Sequence, residues 1–341
     1  MDARKLGKTD IEVSPIGLGC WQFSQGKNMT GRMWSVLDQG TIDTVVDAAL
    51  SGGVTWFDTA QAYGNGASER ALSAALQHRG VEPGEVVVAT KWLPIARPAK
   101  DVPHTIGTRI ACLQPYPIDL FQVHSPGSVS SIPAQMREMA KLVHAGKVCA
   151  VGVSNFSAKQ MAQAAAALRD EGLTLASNQV RINLLDRRVE SNGVLAAAQG
   201  LGVTLIAYSP LAQGVLTGRY HDDPALVRAL PWGRRSRLSP SSRFLTPKGL
   251  RRSAPLIAEL RAVGEAHGAS VAQVALAWLV TRYGDTDCRH PGGLAAGAGS
   301  SDRDSHGRAS HGGGDSEHRR ILGRRGQALA ASYSGYEDVS G

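Results

Sequence analysis

Four ionisable side chains, Asp58, Tyr63, Lys91 and His124, stand at or just past the ends of three consecutive apolar runs. The stretch Thr-Trp-Phe-Asp-Thr-Ala-Gln-Ala-Tyr begins inside an expected strand, Val54 to Phe57, and delivers Asp58 and Tyr63 into the following loop. The run Val86 to Thr90 ends in Lys91, and Asp119 to Val123 ends in His124. Any one of the four could be ordinary: a loop cap, a half-buried aromatic, a strand terminator, a hydrogen-bonded histidine. Together at strand ends they form a set able to move a proton. A free phenol has a pKa of about 10, and a cation held about 4 Å away at an effective dielectric near 20 attracts its anion by roughly 4 kcal/mol. Lys91 is therefore expected to lower the pKa of Tyr63 by as much as about three.

The elements that would position these groups alternate along the chain. A hairpin is expected around Lys8-Thr9-Asp10, and then strands at Ile16–Gly19, Val54–Phe57, Val86–Thr90, Asp119–Val123, Val148–Val153, Ala176–Val180 and Thr204–Ala207. Between them the apolar spacing predicts helices at Thr41–Leu50, Ser68–Gln77, His104–Leu113, Ile132–His144, Ala158–Arg169 and Gly193–Gln199. Two more helices follow, at Pro255–Ala266 and Ser270–Arg282. Repeated βα units with short connections imply parallel strands and right-handed crossovers, and an α/β barrel does its chemistry at the C-terminal strand ends. Gly64-Asn65-Gly66 reads as a turn. No GxGxxG follows a strand, so a Rossmann cofactor site is not supported.

Seven strands precede the last two helices, one short of a closed (β/α)8 barrel. The eighth is expected to be missing, because from Asp287 the chain becomes rich in Gly, Ser, Arg, His and Asp. Residues 1–286 are thus read as the barrel and 287–341 as a disordered, low-complexity tail. Codons for Asp287 to Ala296, read one base later, can give Ile-Val-Ala-Ile-Pro-Gly-Ala-Ser-Arg-Pro, an apolar strand and loop where the barrel needs them. A frameshift near Asp287 is the expectation, and the coding DNA decides it. The loss of about six buried residues at roughly 1.5 to 3 kcal/mol each predicts a poorly folding, weakly active chain.

Composition narrows the class. The 341 residues are 43% hydrophobic and 19% charged, ordinary for a soluble globular chain. The N-terminus lacks the apolar core of a signal peptide, no run is long enough for a bilayer, and a cytoplasmic protein is the simplest reading. The four cysteines lie far apart without CxxC spacing, which indicates neither a zinc site nor a disulfide framework. The net charge of +8 equals the eight Arg and Lys residues between Pro224 and Ala258, a stretch with no acidic residue. The bias is therefore one loop, read as an anion site, a lid or a solvated surface, and not a nucleic-acid face with stacking aromatics.

Asp58, Tyr63, Lys91 and His124 at these positions resemble the catalytic tetrad of the aldo-keto reductase superfamily. Gly17-Leu18-Gly19 before Trp21, Gly152-Val153-Ser154-Asn155-Phe156, Asn178-Gln179 and Tyr208-Ser209-Pro210-Leu211 carry the resemblance further, over roughly residues 4 to 286. It implies a TIM barrel that reduces a small-molecule aldehyde or ketone with NADPH, NADH being the lesser choice, and it implies no metal. It implies Tyr63 as proton donor, Asp58 as ion-pair partner of Lys91, and His124 orienting the carbonyl. Tyr208 would lie against the nicotinamide ring, Ser154, Asn155 and Gln179 at its carboxamide, and Ser209, Leu211 and Gln213 at the pyrophosphate, with Gly19, Trp21 and Asp58 also at the cofactor. Trp21, Trp92 and Trp232 would line the substrate mouth. Members of the superfamily grip the adenosine phosphate after the eighth strand, and this chain departs from them there. Two further readings follow: a nicotinamide-sensing subunit without turnover, and a sugar-nucleotide keto reductase.

Overall fold

The computed structural model describes residues 3–235 and 242–283 and the backbone of 288–292. Eight parallel strands close a barrel behind an N-terminal hairpin, the (β/α)8 architecture that the alternation implies. The hairpin is β1 (Arg4–Lys5) and β2 (Glu12–Val13), antiparallel, with Leu6 and Val13 buried against Trp56, Ala89, Leu120, Ala150, Ala176 and Ile206 at the N-terminal end of the barrel.

The barrel strands are β3 (Ile16–Gly19), β4 (Trp56–Asp58), β5 (Val87–Trp92), β6 (Leu120–Val123), β7 (Ala150–Ser154), β8 (Leu175–Arg181) and β9 (Thr204–Tyr208). They pair in chain order, so each strand end neighbours the next, with Gly19 beside Asp58, Lys91 beside Gln122 and Ser154 beside Gln179. Gly17 is required at the barrel's inner wall, because a Cβ there would fall 2.3 Å from the Trp56 ring. The indole of Trp56 in turn donates to the carbonyl oxygen of Ser14 at 3.0 Å.

The eighth position holds β10, Cys288–Gly292, paired in parallel with β9 through Cys288 and Arg289 and with β3 through His290 to Gly292. The missing strand of the sequence reading is thus supplied as backbone. The facing edges of β3 and β9 both offer unpaired N–H and C=O groups, and main chain of almost any sequence can satisfy them. What the segment lacks is the apolar side-chain run that a strand buried on both faces normally has. The remainder of the expected tail, 293–341, lies outside the described residues, as does any cofactor clamp after this strand.

Helices α1 (Gln39–Ser51), α2 (Ala67–His78), α3 (Asp101–Leu113), α4 (Ile132–His144), α5 (Ala158–Asp170) and α6 (Val194–Leu201) pack around the barrel within a few residues of their expected bounds. Helix α7 (Pro247–His267) begins eight residues before the expected Pro255, because Thr246 caps it by accepting from the Gly249 N–H and Pro247 fills its first turn. Helix α8 (Val271–Arg282) starts with a capping box from Ser270 and Gln273. Among the described residues no helix is long and apolar enough to cross a membrane.

Candidate active site

The C-terminal strand ends of β3 to β9 open on a cavity of about 410 Å³. Its wall includes Gly19, Trp21, Asp58, Tyr63, His124, Ser154, Asn155, Gln179, Tyr208, Ser209, Leu211 and Gln213. Parallel strands in chain order explain the gathering: β4, β5 and β6 are neighbours, so groups 33 residues apart meet across one ladder step.

Behind the wall, fully buried Lys91 donates to Asp58 Oδ2 at 2.6 Å and to the Thr59 carbonyl at 2.8 Å. The other carboxylate oxygen accepts from Gln122 Nε2 at 3.2 Å and Gln179 Nε2 at 3.1 Å. A buried ion pair of this kind persists only when its remaining lone pairs and protons are satisfied, and Gln122 of β6, Gln179 of β8 and the Thr59 carbonyl just past β4 supply the partners here. The Lys91 ammonium sits 5.1 Å from the Tyr63 ring centroid. His124 meets the same ring edge-on at 5.6 Å, and Trp21 stacks on it at 5.7 Å.

The proton affinity of Tyr63 departs from the sequence expectation. Burial first, then the Asp58 carboxylate, pushes the phenol well above its ordinary value. Burial is the main reason, and the Lys91 charge does not offset it, being answered by Asp58 at 2.6 Å. Tyr63 therefore keeps its proton at neutral pH, the form a proton donor needs. Burial, and then Lys91, lowers His124 to about 3, so its imidazole is neutral, and its Nδ1 has no hydrogen-bond partner among the described residues.

The expected nicotinamide residues form a second cluster on the same wall. Tyr208 Oη donates to Asn155 Oδ1 at 2.9 Å, Asn155 Nδ2 donates to Ser154 Oγ at 3.1 Å, and Ser154 Oγ donates to the Gln179 carbonyl at 2.9 Å. Asn155, Ser209, Ala212 and Gln213 all hold positive φ, as does Gly214. Non-glycine residues in that region are strained by about 1 to 3 kcal/mol each, and such strain gathers at ligand clamps and active sites. Within the run the Ala212 and Gly214 N–H groups donate to the Ser209 and Leu211 carbonyls at 2.9 and 2.8 Å, which makes it a tight turn on the cavity wall.

Trp92 is corrected: it is fully buried in the main core and its indole donates to Asp101 Oδ2 at 3.0 Å, away from the cavity. Residue 92 continues β5 past Lys91, and strand alternation turns it to the opposite face. The side chain of Trp232 lies outside the described residues. The tryptophan that does join Trp21 at the mouth is Trp34, edge-on at 5.5 Å. It sits in a loop without periodicity, so no pattern in the chain marks it. Gln122 was also missed, although it is the lone polar residue of Leu-Phe-Gln-Val and shares the inward face with Leu120. Arg181, Arg219 and Arg234 line the cavity as well. Among the described residues no group of three or more His, Cys, Asp or Glu could hold a metal ion.

The model of the aldo/keto reductase family matches residues 15–302. An uncharacterized oxidoreductase of Mycobacterium tuberculosis is 38% identical over 278 residues, 80% of this chain and 79% of the relative. Aldo-keto reductase YhdN of Bacillus subtilis is 34% identical over 231 residues, 65% of this chain and 66% of its own. Among solved structures, the glycerol dehydrogenase AKR11B4 from Gluconobacter oxydans superposes with a TM-score of 0.71 over 98% of this chain and 96% of that one, at 24% identity, a likeness of fold. The match over residues 15–302 and the relatives of 30% identity or more define an oxidoreductase class. The chain belongs to the aldo/keto reductase family.

Proposed function

We propose that this chain reduces an aldehyde or ketone to an alcohol with NADPH, in the cytoplasm, and that Tyr63 donates the proton. The observation that carries the reading is the meeting of a protonated, half-buried Tyr63 with a neutral His124 at 5.6 Å on one cavity wall, with the Lys91–Asp58 pair directly behind. When bound, NADPH supplies a hydride to the carbonyl carbon. The oxygen then gains negative charge, and a donor beside it stabilises that charge. His124 orients the carbonyl through the ring nitrogen other than the partnerless Nδ1, and Tyr63 passes its proton to the oxygen. Lys91 is the nearest cation to the phenolate left behind, and Asp58 fixes its place through the bonds from Gln122 and Gln179.

Tyr208, Ser154, Asn155 and Gln179 hold the nicotinamide end, and the strained run from Ser209 to Gly214 holds the pyrophosphate. Trp21 and Trp34 form the apolar mouth that excludes water from the reacting oxygen. Loss of absorbance at the reduced-nicotinamide band with a panel of aldehydes and ketones tests the proposal. Oxidation of NADPH above the carbonyl-free rate is expected, and binding of NADPH without any turnover across the panel would favour a sensing subunit instead.

A further inference from the structure

Arg181 is the last residue of β8 and pairs in register with Tyr208, the last residue of β9. It stands two residues past Gln179, and strand alternation gives the two one face, so Arg181 lines the cavity one step beyond the glutamine that bonds to Asp58. Its guanidinium lies 5.3 Å from the centroid of the Tyr208 ring, and Nη2 donates to Tyr208 Oη at 3.4 Å. That is its one hydrogen bond among the described residues, where Nε is buried without a partner and no carboxylate forms an ion pair with it. A half-buried cation with five N–H donors and one long bond keeps most of its charge to act on whatever approaches the ring.

The other charges near this ring are answered or turned away. Arg188 forms a two-pronged pair with Asp186, each bond 2.8 Å long, and Lys91 is held by Asp58 at 2.6 Å. The remaining arginines of the wall face other rings, Arg219 4.7 Å over Tyr220 and Arg234 4.5 Å over Trp34. Arg181 is therefore the cation that acts at Tyr208. The ring is fixed from its hydroxyl, which donates to Asn155 Oδ1 at 2.9 Å, and Asn155 Nδ2 donates on to Ser154 Oγ at 3.1 Å. A ring so held, with amide and hydroxyl groups beside it, fits a flat heteroaromatic ring that bears a carboxamide. The two oxidation states of nicotinamide differ there in charge: the reduced ring is neutral, and the oxidised ring is a cation.

We propose that Arg181 makes the site discriminate between the oxidation states of its cofactor, binding NADPH in preference to NADP+ by repelling the charged ring. The inference rests on the reductase reading above and deepens it at the same site. At an effective dielectric near 20, like charges about 10 Å apart repel by enough to separate the two affinities by about tenfold. Binding and hydride transfer are linked, so the factor appears twice. NADP+ leaves more readily after turnover and inhibits weakly, while the hydride step on the protein is less favourable by the same tenfold, about 30 mV for a two-electron couple.

Titration of each nucleotide, followed by the fluorescence of the tryptophans at the mouth, gives the ratio of the Kd for NADP+ to that for NADPH without any turnover. Adenosine, riboses and phosphates are common to both nucleotides, so the ratio isolates the ring. In the parent chain it should exceed that of Arg181→Gln by about tenfold, the change falling on NADP+ and the Kd for NADPH moving by less than about threefold. Arg181→Met, neutral and of similar length, should show the same fall, and Arg181→Lys, which keeps the charge, should retain most of the ratio. Because the ratio is internal to each preparation, a partly folded variant still reports it. Equal ratios in the parent and Arg181→Gln would overturn the proposal, as would a loss of affinity shared by both nucleotides, since the arginine would then only steady Tyr208. Discrimination that Arg181→Gln removes, in a chain that reduces no carbonyl, would sustain the proposal and sink the reductase reading. Turnover with an unchanged ratio would do the reverse, and failure to bind either nucleotide would sink both.

Discussion

At the scale of single residues, the two rings that meet on the cavity wall have their pKa values moved apart by the same burial, the phenol up and the imidazole down. Tyr63→Phe keeps the stacking on Trp21 and removes only the hydroxyl, so NADPH binding should persist while kcat for carbonyl reduction falls by about 10²- to 10⁴-fold, measured at saturating cofactor. His124 affects stability as well. Its pKa is lowered to about 3 in the fold, while an unfolded histidine takes a proton near 6.5, so between these values the unfolded chain binds more protons. Stability from this group is complete above about pH 6.5 and is lost as pH falls toward about 3, by up to about 5 kcal/mol. Urea melts across that window should therefore show a flatter pH dependence for His124→Asn than for the parent chain. A parallel dependence in both would mean that the imidazole is not neutral in the fold.

Which residues were readable in the chain follows from how each is held. Asp58, Lys91 and His124 end apolar runs, and a parallel barrel brings strand ends together whatever the loops do, so their meeting was legible. The direction of the Tyr63 shift was not, because burial is its main cause, and how closely a loop residue is enclosed leaves no mark in the chain. Trp92 was misread for a simpler reason: a residue one step past Lys91 faces the other way. Trp34 and Arg234 lie on loops whose folding onto each other leaves no periodic trace.

At the scale of elements, α2, α3 and β5 are joined by charge. Glu69 of α2 accepts from Arg109 Nη1 of α3 at 2.5 Å and from Thr90 Oγ1 of β5 at 2.6 Å, with both members of the ion pair buried. Burial raises the pKa of Glu69 even with the arginine beside it. Removing one partner leaves the other charge enclosed, which costs about 3 to 5 kcal/mol in comparable pairs. Arg109→Met should lower the unfolding free energy by about that amount in urea, and Arg109→Met with Glu69→Gln should recover part of it. Thr90 adjoins Lys91 on the same strand, so the single variant should also disturb turnover. A loss under about 1 kcal/mol would show that water or another group already compensates Glu69. The helix bounds were legible here from their caps, except at α7, where Thr246 and Pro247 outrank the later Pro255 as a start signal.

At the scale of the whole molecule, closure of the barrel depends on Cys288–Gly292, whose backbone pairs with β3 and β9. Pro291 has no N–H to give, and strands enclosed on both faces are otherwise Val-, Ile- and Leu-rich. Replacing Asp287 to Ala296 with Ile-Val-Ala-Ile-Pro-Gly-Ala-Ser-Arg-Pro should restore apolar burial of up to about 10 kcal/mol and raise the thermal midpoint. The reduction rate per mole of protein should rise with it. An unchanged melting curve would mean that the frame of this segment is immaterial to the barrel. The seven preceding strands were legible because each is an apolar run between turn signals. The eighth was not, since main-chain pairing carries no mark in composition.

Asp58 is tied at once to β5, β6 and β8 through Lys91, Gln122 and Gln179. The machinery proposed for the reaction is therefore also a keystone of the architecture. A descendant of this chain that gave up catalysis altogether would still be selected to inherit the aspartate and its neighbours, because discarding them would unseat the wall. For this fold, a preserved Asp58–Lys91 pair with its two glutamines is a poor witness to turnover, and the phenol, which bonds to none of those strands, is the better one to question.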